Sequence, residues 1–302
     1  EDRFPFGDAQ LQNFSHLTGL KELSIQAVQV TGRGLRALKP LHGLEKLNFA
    51  SLQADNKCLQ SIGELKSLQV LSIGQAKWDD AGLAHLSELN ELEEIFLPFA
   101  GIPGRGFDAV VKLPKLKYIT GAQFFKNVHL AKLKHSTALR ALVLQQNEVI
   151  TDDSLKYIAQ LPQLEYLDLW HTNISDDGVK HLGTLKSLKR LNIKVNYRSG
   201  GPLITAASAG AVAKMESLEI LDAGEVGDVD GFLKRTQDLK NLKSLWIGGR
   251  RDSGLLTDVG VESISKFPHP DRLTLTGTDV SVAATPPLAQ LRHLKWLMLN
   301  SA

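Results

Sequence analysis

Cysteine is almost absent from this sequence, which has a single one, Cys58, in 302 residues. A single thiol forms no disulfide within the chain, which excludes a small extracellular domain held together by disulfide bonds. Long hydrophobic runs are missing too, because none approaches the roughly 20 apolar residues that a helix needs to cross a bilayer. The sequence therefore predicts a soluble protein. It begins at Glu1 and not at a methionine, so a removed leader is compatible with it and the compartment stays open.

An excess of charge of one sign is also lacking. The sequence has 35 basic and 33 acidic residues, which gives a formal net charge of +2. Such a balance produces no overall field that would attract nucleic acid or an anionic membrane. We therefore expect neither nucleic acid nor a membrane among its partners.

Motifs of catalysis and metal binding are lacking as well. No serine lies in a G-x-S-x-G turn, and the nine histidines show no H-E-x-x-H spacing. The acidic stretch with Glu225, Asp228 and Asp230 lacks the regular spacing and distal glutamate of an EF-hand calcium loop. The sequence predicts a protein that is not an enzyme and that needs no cofactor or metal.

A repeat, in contrast, fills nearly the whole sequence. Leu164, Leu167 and Leu169 give the spacing L-x-x-L-x-L, which is typical of a short strand that buries alternate side chains. The same spacing begins at twelve positions, 23 to 30 residues apart: Leu20, Leu44, Leu68, Leu92, Leu116, Leu139, Leu164, Leu188, Leu218, Leu242, Pro270 and Leu294. One strand and one helix cannot bury their own apolar faces, so each unit needs a neighbour on either side.

A second phrase recurs between the strands and predicts the start of a short helix. Its clearest copies are Ser175-Asp176-Asp177-Gly178-Val179 and Thr257-Asp258-Val259-Gly260-Val261. Hydroxyl and carboxylate side chains at such a position accept hydrogen bonds from free backbone N–H groups. We therefore interpret the acidic pairs as helix caps, in preference to catalytic or metal-binding carboxylates: Asp79-Asp80, Asp152-Asp153 and Asp176-Asp177.

These two phrases, at a period of about 24 residues, resemble those of the leucine-rich repeat family. Within that family they resemble the ribonuclease-inhibitor-like and cysteine-containing subtypes, in the short form common in bacterial and F-box proteins. The family pattern has Cys, Asn or Thr five residues after the middle strand leucine, where this sequence has Val28, Leu52 and Ala76 in three early copies. We expect somewhat irregular turns as a result.

The resemblance implies the fold class. It is an α/β fold, a right-handed leucine-rich-repeat solenoid, or horseshoe, with parallel strands on the concave side and short helices on the convex side. We expect a single domain over residues 1–302, with an N-terminal cap over 1–19 and repeats over 20–302. Proteins of this family bind proteins, peptides, nucleotides and glycans, so the resemblance alone does not identify a ligand.

Two insertions break the period, near residues 195–206 and 248–256. Both lie between the end of a strand and the start of a helix, so both project from the same rim. Insertions in repeat arrays map to loops and often to the binding face. The sequence therefore predicts that this rim takes part in binding.

The strand positions between the buried leucines face outward, and several of them are aromatic. Large aromatic side chains beside charged groups are typical of binding hot spots. The predicted partner-binding patch consists of Tyr166, Asp168, Trp170, Arg190, Asn192, Lys194 and Trp246, bordered by Tyr197, Arg198, Arg250 and Arg251 on the inserted loops. We predict a non-catalytic scaffold that recognises a protein or peptide partner through this patch.

Two alternatives stay open at this stage. Trp170 and Trp246 are also suited to stack on a glycan or another small ligand, with Asp168 and Asn192 as polar partners. The last strand motif ends directly before Ala302, so its free edge needs a cover. Further residues beyond 302, a modest self-cap, or a second copy of the chain in a homodimer would each supply one.

Overall fold

The computed structural model describes residues 6–26, 29–74, 77–97, 105–121, 125–194 and 204–301. The chain separates into two compact units, Glu1–Leu142 and Val143–Ala302. The arrangement as a single domain with an N-terminal cap stays a prediction. No helix in the described ranges is long and apolar enough to span a bilayer.

Short strands and short helices alternate along the described residues, with twelve of each. The strands are β1 Glu22–Gln26, β2 Lys46–Ala50, β3 Val70–Ile73, β4 Glu94–Phe96, β5 Tyr118–Thr120, β6 Ala141–Val143, β7 Tyr166–Asp168, β8 Arg190–Asn192, β9 Ile220–Glu225, β10 Ser244–Gly248, β11 Arg272–Thr278 and β12 Trp296–Ser301. The α-helices are α1 Asp8–Leu11, α2 Gly32–Leu35, α3 Asn56–Ile62, α4 Asp80–Leu83, α5 Arg105–Val111, α6 Asn127–Leu133, α7 Asp152–Ile158, α8 Asp176–His181, α9 Ala209–Val212, α10 Val229–Thr236, α11 Asp258–Ile264 and α12 Thr285–Ala289. Short 3-10 helices occur at Gln12–His16, Arg36–Leu38, Ala84–Leu86, Leu182–Thr184 and Val282–Ala284.

The strands of each unit pair in chain order and are parallel. In the first unit β1 to β5 form one such series, and in the second unit β7 to β12 form another. The middle leucines Leu167, Leu191, Leu221 and Leu245 lie opposite one another in register and are buried. The predicted α/β repeat fold is confirmed, and the exceptions to leucine burial include Leu297 and Leu299 of β12, which are 41% and 46% exposed.

The helix starts differ from the prediction in one respect. Asp79 caps its own helix as expected, because it accepts hydrogen bonds from the N–H groups of Ala81 and Gly82. Asp152 and Asp176 do not, because the caps of their helices are Thr151 and Ser175. Their carboxylates reach across to the next repeat instead.

Asp152 illustrates the contact that these carboxylates make. It accepts hydrogen bonds from the backbone N–H of Ser175 at 2.7 Å and from the Ser175 hydroxyl at 2.6 Å. The same contact joins further pairs in the second unit: Asp176 with Thr205, Asp230 with Thr257 and Asp258 with Ser281. We call this series the aspartate ladder. It ties the helix of one repeat to the helix start of the next.

The ladder also explains the glycine of the recurring helix phrase. A Cβ atom on Gly178 would overlap the carboxylate of Asp152, and one on Gly260 would overlap that of Asp230. Only glycine leaves room for the aspartate of the preceding repeat at this distance.

Candidate functional site

The outward side chains of β7 to β12 lie in rows, because equivalent residues of the parallel strands are in register. We call this surface of the second unit the open face. Its first row contains Tyr166, Arg190, Ile220, Ser244, Arg272 and Trp296, and its second row contains Asp168, Asn192, Asp222, Trp246, Thr274 and Met298.

A cleft of about 460 Å³, the central cleft, lies over these two rows. Five predicted residues line it: Tyr166, Asp168, Arg190, Asn192 and Trp246. Residues that were not in the predicted patch complete it, among them Asp222, Arg272, Trp296 and Met298. The central cleft therefore extends across more strands than the predicted patch.

A second cleft of about 570 Å³, the loop cleft, lies beside the inserted loop after β10. It is lined by Lys194, Trp246, Arg250 and Arg251, together with the acidic residues Glu225 and Asp252 and several glycines. Trp246 borders both clefts, and 38% of it is exposed. It is therefore the residue at which the two cavities meet.

The inserted loop is folded back on itself. Arg250 and Gly254 exchange two backbone hydrogen bonds, each of 2.8 Å, which close a tight turn. Gly254 has a φ of +116°, a conformation that residues with a Cβ rarely adopt. The Arg250 guanidinium pairs with Asp252 of the same loop. The predicted insertion at 248–256 is thus an ordered border of the loop cleft.

Asp168 is buried at the floor of the central cleft, with an exposed fraction of 7%. Its carboxylate accepts a hydrogen bond from the Tyr166 hydroxyl and another from the Trp170 backbone N–H, both at 3.0 Å. A buried carboxylate is stable only when such donors replace water. Asp168 therefore fixes the tyrosine ring and the turn that follows β7.

Two arginines at the border of the central cleft lie over aromatic rings. The guanidinium carbon of Arg190 is 4.7 Å from the centre of the Tyr166 ring, and that of Arg272 is 5.7 Å from the centre of the Trp296 ring. Attraction between a cation and the face of an aromatic ring favours these positions. Both arginines are held in place while their charge stays in contact with solvent.

Lys194 lies over Trp246 in the same way, with its ammonium nitrogen 3.9 Å from the ring centre. The contact depends on a bulge in β9, where Asp222 lies opposite Trp246 and Gly224 lies opposite Ile247. Gly224 has a φ of +60°, and a Cβ atom there would meet the stem of Lys194 at 2.6 Å. The bulge thus makes the groove in which the lysine stem lies.

Asp222 has an unusual environment for a carboxylate. Its Oδ1 atom is buried and has no hydrogen-bond partner among the described residues. Burial raises the pKa of Asp222 to about 6, while the charge of Lys194 and the backbone N–H of Gly224 reduce this rise. Perturbed carboxyl groups in a cleft are frequent at functional sites.

One predicted residue, Trp170, lies outside both clefts. Trp170 is in the turn after β7, where its ring packs on His171 with centroids 4.5 Å apart, and it borders neither cleft. Tyr197 and Arg198 fall outside the described residues. The predicted residues that line the two clefts are therefore those on or next to the strands and those of the loop after β10.

Two of the three acidic residues in the stretch compared with a calcium loop have structural partners. Asp228 caps α10 by accepting a hydrogen bond from the N–H of Gly231, and Asp230 belongs to the aspartate ladder. Within the part of the chain that the structure describes, no three His, Cys, Asp or Glu side chains cluster as metal ligands. Cys58 is buried, which raises the pKa of its thiol to about 11 and makes it a poor nucleophile at neutral pH.

Comparison with known proteins supports the fold. Residues 135–159 and 160–183 match the family model described as Leucine Rich repeat. No curated protein matches the sequence at a significant level. An internalin (inlF) of Listeria monocytogenes has a similar structure, with a TM-score of 0.54 and 18% identity over 96% of this chain and 88% of the internalin.

Two further solved structures are similar. A leucine-rich repeat protein of Leptospira interrogans has a TM-score of 0.52 and 17% identity, over 95% of this chain and 80% of its own. A plant peptide hormone receptor, RGFR1 in complex with RGF2, has a TM-score of 0.40 and 15% identity, over 98% of this chain and 61% of its own. At the identity of the two bacterial structures a likeness shows the fold alone, and that fold is the leucine-rich repeat.

Proposed function

We propose that the chain is a non-catalytic scaffold that recognises a protein or peptide through the open face of its second unit. The contact is centred on Trp246, with the central cleft on one side and the loop cleft on the other. Repeat proteins commonly use the outward face of stacked strands in this way.

The exposure of large apolar side chains around Trp246 carries this proposal. Trp246, Trp296 and Met298 are exposed by 38%, 48% and 39%, and all three line the central cleft. Solvent-exposed tryptophans cost hydration free energy, and when they surround a cavity they are typical of binding hot spots. Charged residues border them, which supplies the polar rim of an interface.

Recognition of a glycan or small ligand is the second candidate. It requires a sugar ring to stack on an open tryptophan face, but the ammonium of Lys194 covers Trp246 at 3.9 Å. Trp170, the other proposed platform, packs on His171 outside both clefts. These contacts favour a peptide, which would use the edges of the rings as well as the clefts.

The test is a selection of peptides from a random displayed library on the purified chain. Selected peptides are synthesised, and their affinities are measured by calorimetry for the wild type, Trp246→Ala and Trp296→Ala, two tryptophans that line the central cleft. We expect each of the two substitutions to weaken binding about tenfold or more, as for a hot-spot residue.

Two control variants leave the clefts intact. Lys180→Glu reverses a charge on α8, where the lysine pairs with Asp177, and Trp170→Ala removes an indole that borders neither cleft. Both should bind the peptides with little change. Peptides that bind all variants equally would contradict the proposed site. The second candidate would be favoured if only Trp246→Ala lost binding and if a parallel glycan array selected ligands for the chain. A homodimer through the edge of β12 stays a prediction, which sedimentation of the chain would test.

A further inference from the structure

Asp222 is the carboxylate of the central cleft that keeps one buried oxygen atom, Oδ1, without a hydrogen-bond donor among the described residues. Asp168, two strands away, has the Tyr166 hydroxyl and the Trp170 N–H as donors. Asp222 has the backbone N–H of Gly224 as a donor and feels the charge of Lys194, but its buried Oδ1 atom accepts no hydrogen bond from the described residues. A desolvated carboxylate in this state is costly to the folded chain, and the cost falls when a donor reaches it.

The cations around Asp222 are directed elsewhere. The ammonium of Lys194 lies over the Trp246 ring, and the guanidinium groups of Arg190 and Arg272 lie over Tyr166 and Trp296. The two arginines are exposed, so water already solvates their charge. An anionic ligand would therefore gain little at the arginines, whereas a cationic ligand would supply the missing donor to the Oδ1 atom of Asp222.

The neighbours of Asp222 suit the rest of such a ligand. In register beside it lie Asn192 on one side and Trp246 on the other, and all three line the central cleft. The indole of Trp246, whose face is covered by Lys194, offers its remaining exposed surface to the aliphatic stem of such a ligand. The Oδ1 atom of Asn192 accepts a hydrogen bond from the backbone N–H of Lys194, so the side-chain amide offers its NH2 group to a carbonyl of the peptide backbone.

We propose that this part of the central cleft is a subsite for a lysine or arginine side chain of the bound peptide, which pairs with Asp222 and packs on Trp246. The inference rests on the proposed function and specifies it: the partner presents a basic residue in an extended segment. The competing possibility is that an acidic residue of the peptide binds Arg190 and Arg272, and the experiment must distinguish the two.

The test uses acetylated and amidated pentapeptides, Gly-Gly-X-Gly-Gly, in which X is arginine, citrulline or glutamate. Citrulline keeps the shape of arginine without its charge. Binding is followed through the indole N–H signal of Trp246 in the ¹⁵N-labelled chain, assigned with a Trp246→Phe variant. The expected result is that the arginine peptide shifts this signal and binds about tenfold more tightly than the citrulline peptide, as for a hydrogen bond to a charged group.

Asp222→Asn keeps the size of the side chain and removes its charge, so it should abolish the preference for arginine over citrulline. Asp153→Asn is the matched control, because it makes the same change of net charge at an exposed residue of α7 that pairs with Lys156. It should retain the preference.

Three outcomes would overturn the inference: a tighter complex with the glutamate peptide, no shift of the Trp246 signal by the arginine peptide, or an unchanged preference in Asp222→Asn. The library selection distinguishes these from failure of the proposed function. Selected peptides whose binding depends on Trp246 but that carry no basic residue would support the proposed function and contradict the subsite. Selected peptides that bind independently of Trp246 would remove both.

Discussion

The ammonium nitrogen of Lys194 lies 3.9 Å from the centre of the Trp246 ring, over the residue at which the central and loop clefts meet. This contact joins the end of β8 to the middle of β10 across β9. It positions one cation and one large aromatic side chain before any ligand binds. Less conformational entropy is then lost on binding.

A double-mutant cycle measures this contact. Lys194→Met keeps the aliphatic stem and removes the charge, and Trp246→Leu removes the aromatic face. We expect a coupling free energy of about 0.5 to 1 kcal/mol in denaturant unfolding, the range of a partly exposed cation–π contact. In the control cycle, Lys243→Met replaces the first change; Lys243 pairs with Glu219, so its coupling with Trp246→Leu should be near zero.

The stability of the chain should depend on Asp222 in a defined pH range. The pKa of Asp222 is raised in the fold from 3.8 to about 6, so the folded state binds this proton more tightly than the unfolded state. Its contribution to the free energy of unfolding is therefore favourable at low pH and is lost as pH rises through about 6. The charged groups around it are Asp168, Lys194 and the two cleft arginines.

Asp222→Asn resembles the protonated form and should remove this dependence. Its free energy of unfolding should be close to that of the wild type at pH 4 and higher by about 2 kcal/mol at pH 7. Chemical denaturation at both pH values measures the difference, with Asp153→Asn as control. A variant that is less stable than the wild type at pH 7 would contradict this account of the carboxylate.

The aspartate ladder predicts opposite behaviour for two adjacent acidic residues. Asp176 accepts hydrogen bonds from the N–H and hydroxyl of Thr205 in the next repeat, whereas Asp177 is exposed and pairs with Lys180. Asp176→Ala should lower the free energy of unfolding by about 1 to 3 kcal/mol, because it leaves part-buried donors unsatisfied. Asp177→Ala should change it much less, since exposed ion pairs contribute little. Equal losses in thermal or denaturant unfolding would show that the ladder contributes nothing specific.

Two glycines of the second unit should respond to alanine with opposite signs. A Cβ atom on Gly178 would meet the Asp152 carboxylate and Leu155, so Gly178→Ala should destabilise the chain by about 1 to 3 kcal/mol. Gly210, in α9, has nothing within 4 Å of the added atom. Gly210→Ala should therefore stabilise the chain by about 0.4 to 1 kcal/mol, through a less flexible unfolded state. A fluorescence-monitored denaturation series on the two variants and the wild type gives both signs directly.

The fold could be predicted from the sequence because its cause is local and repeated. The burial of Leu167, Leu191 and Leu245 follows from a spacing that recurs at a nearly constant interval. Neighbours then follow in chain order, so no long-range pairing had to be found. Trp246 could be placed on the open face by the same alternation.

The site was harder to predict wherever a residue depends on the repeat beside it. Trp170 follows the end of β7 at Asp168, so strand alternation no longer determines its direction. The environment of Asp222 depends on the bulge at Gly224 and on the position of Lys194, neither of which has a spacing signature. The partner of Asp152 is 23 residues away in the sequence, and a pattern within one helix start does not reveal it.

The aspartate ladder also defines the length of sequence that can be duplicated or deleted while its contacts are preserved. Each carboxylate and the hydroxyl that it holds lie 23 to 29 residues apart. An exchangeable module therefore runs from one acid to the next hydroxyl and overlaps two repeats. A duplication or loss of that span preserves every contact of the aspartate ladder. Truncation of the chain inside the span leaves an aspartate without its hydroxyl partner.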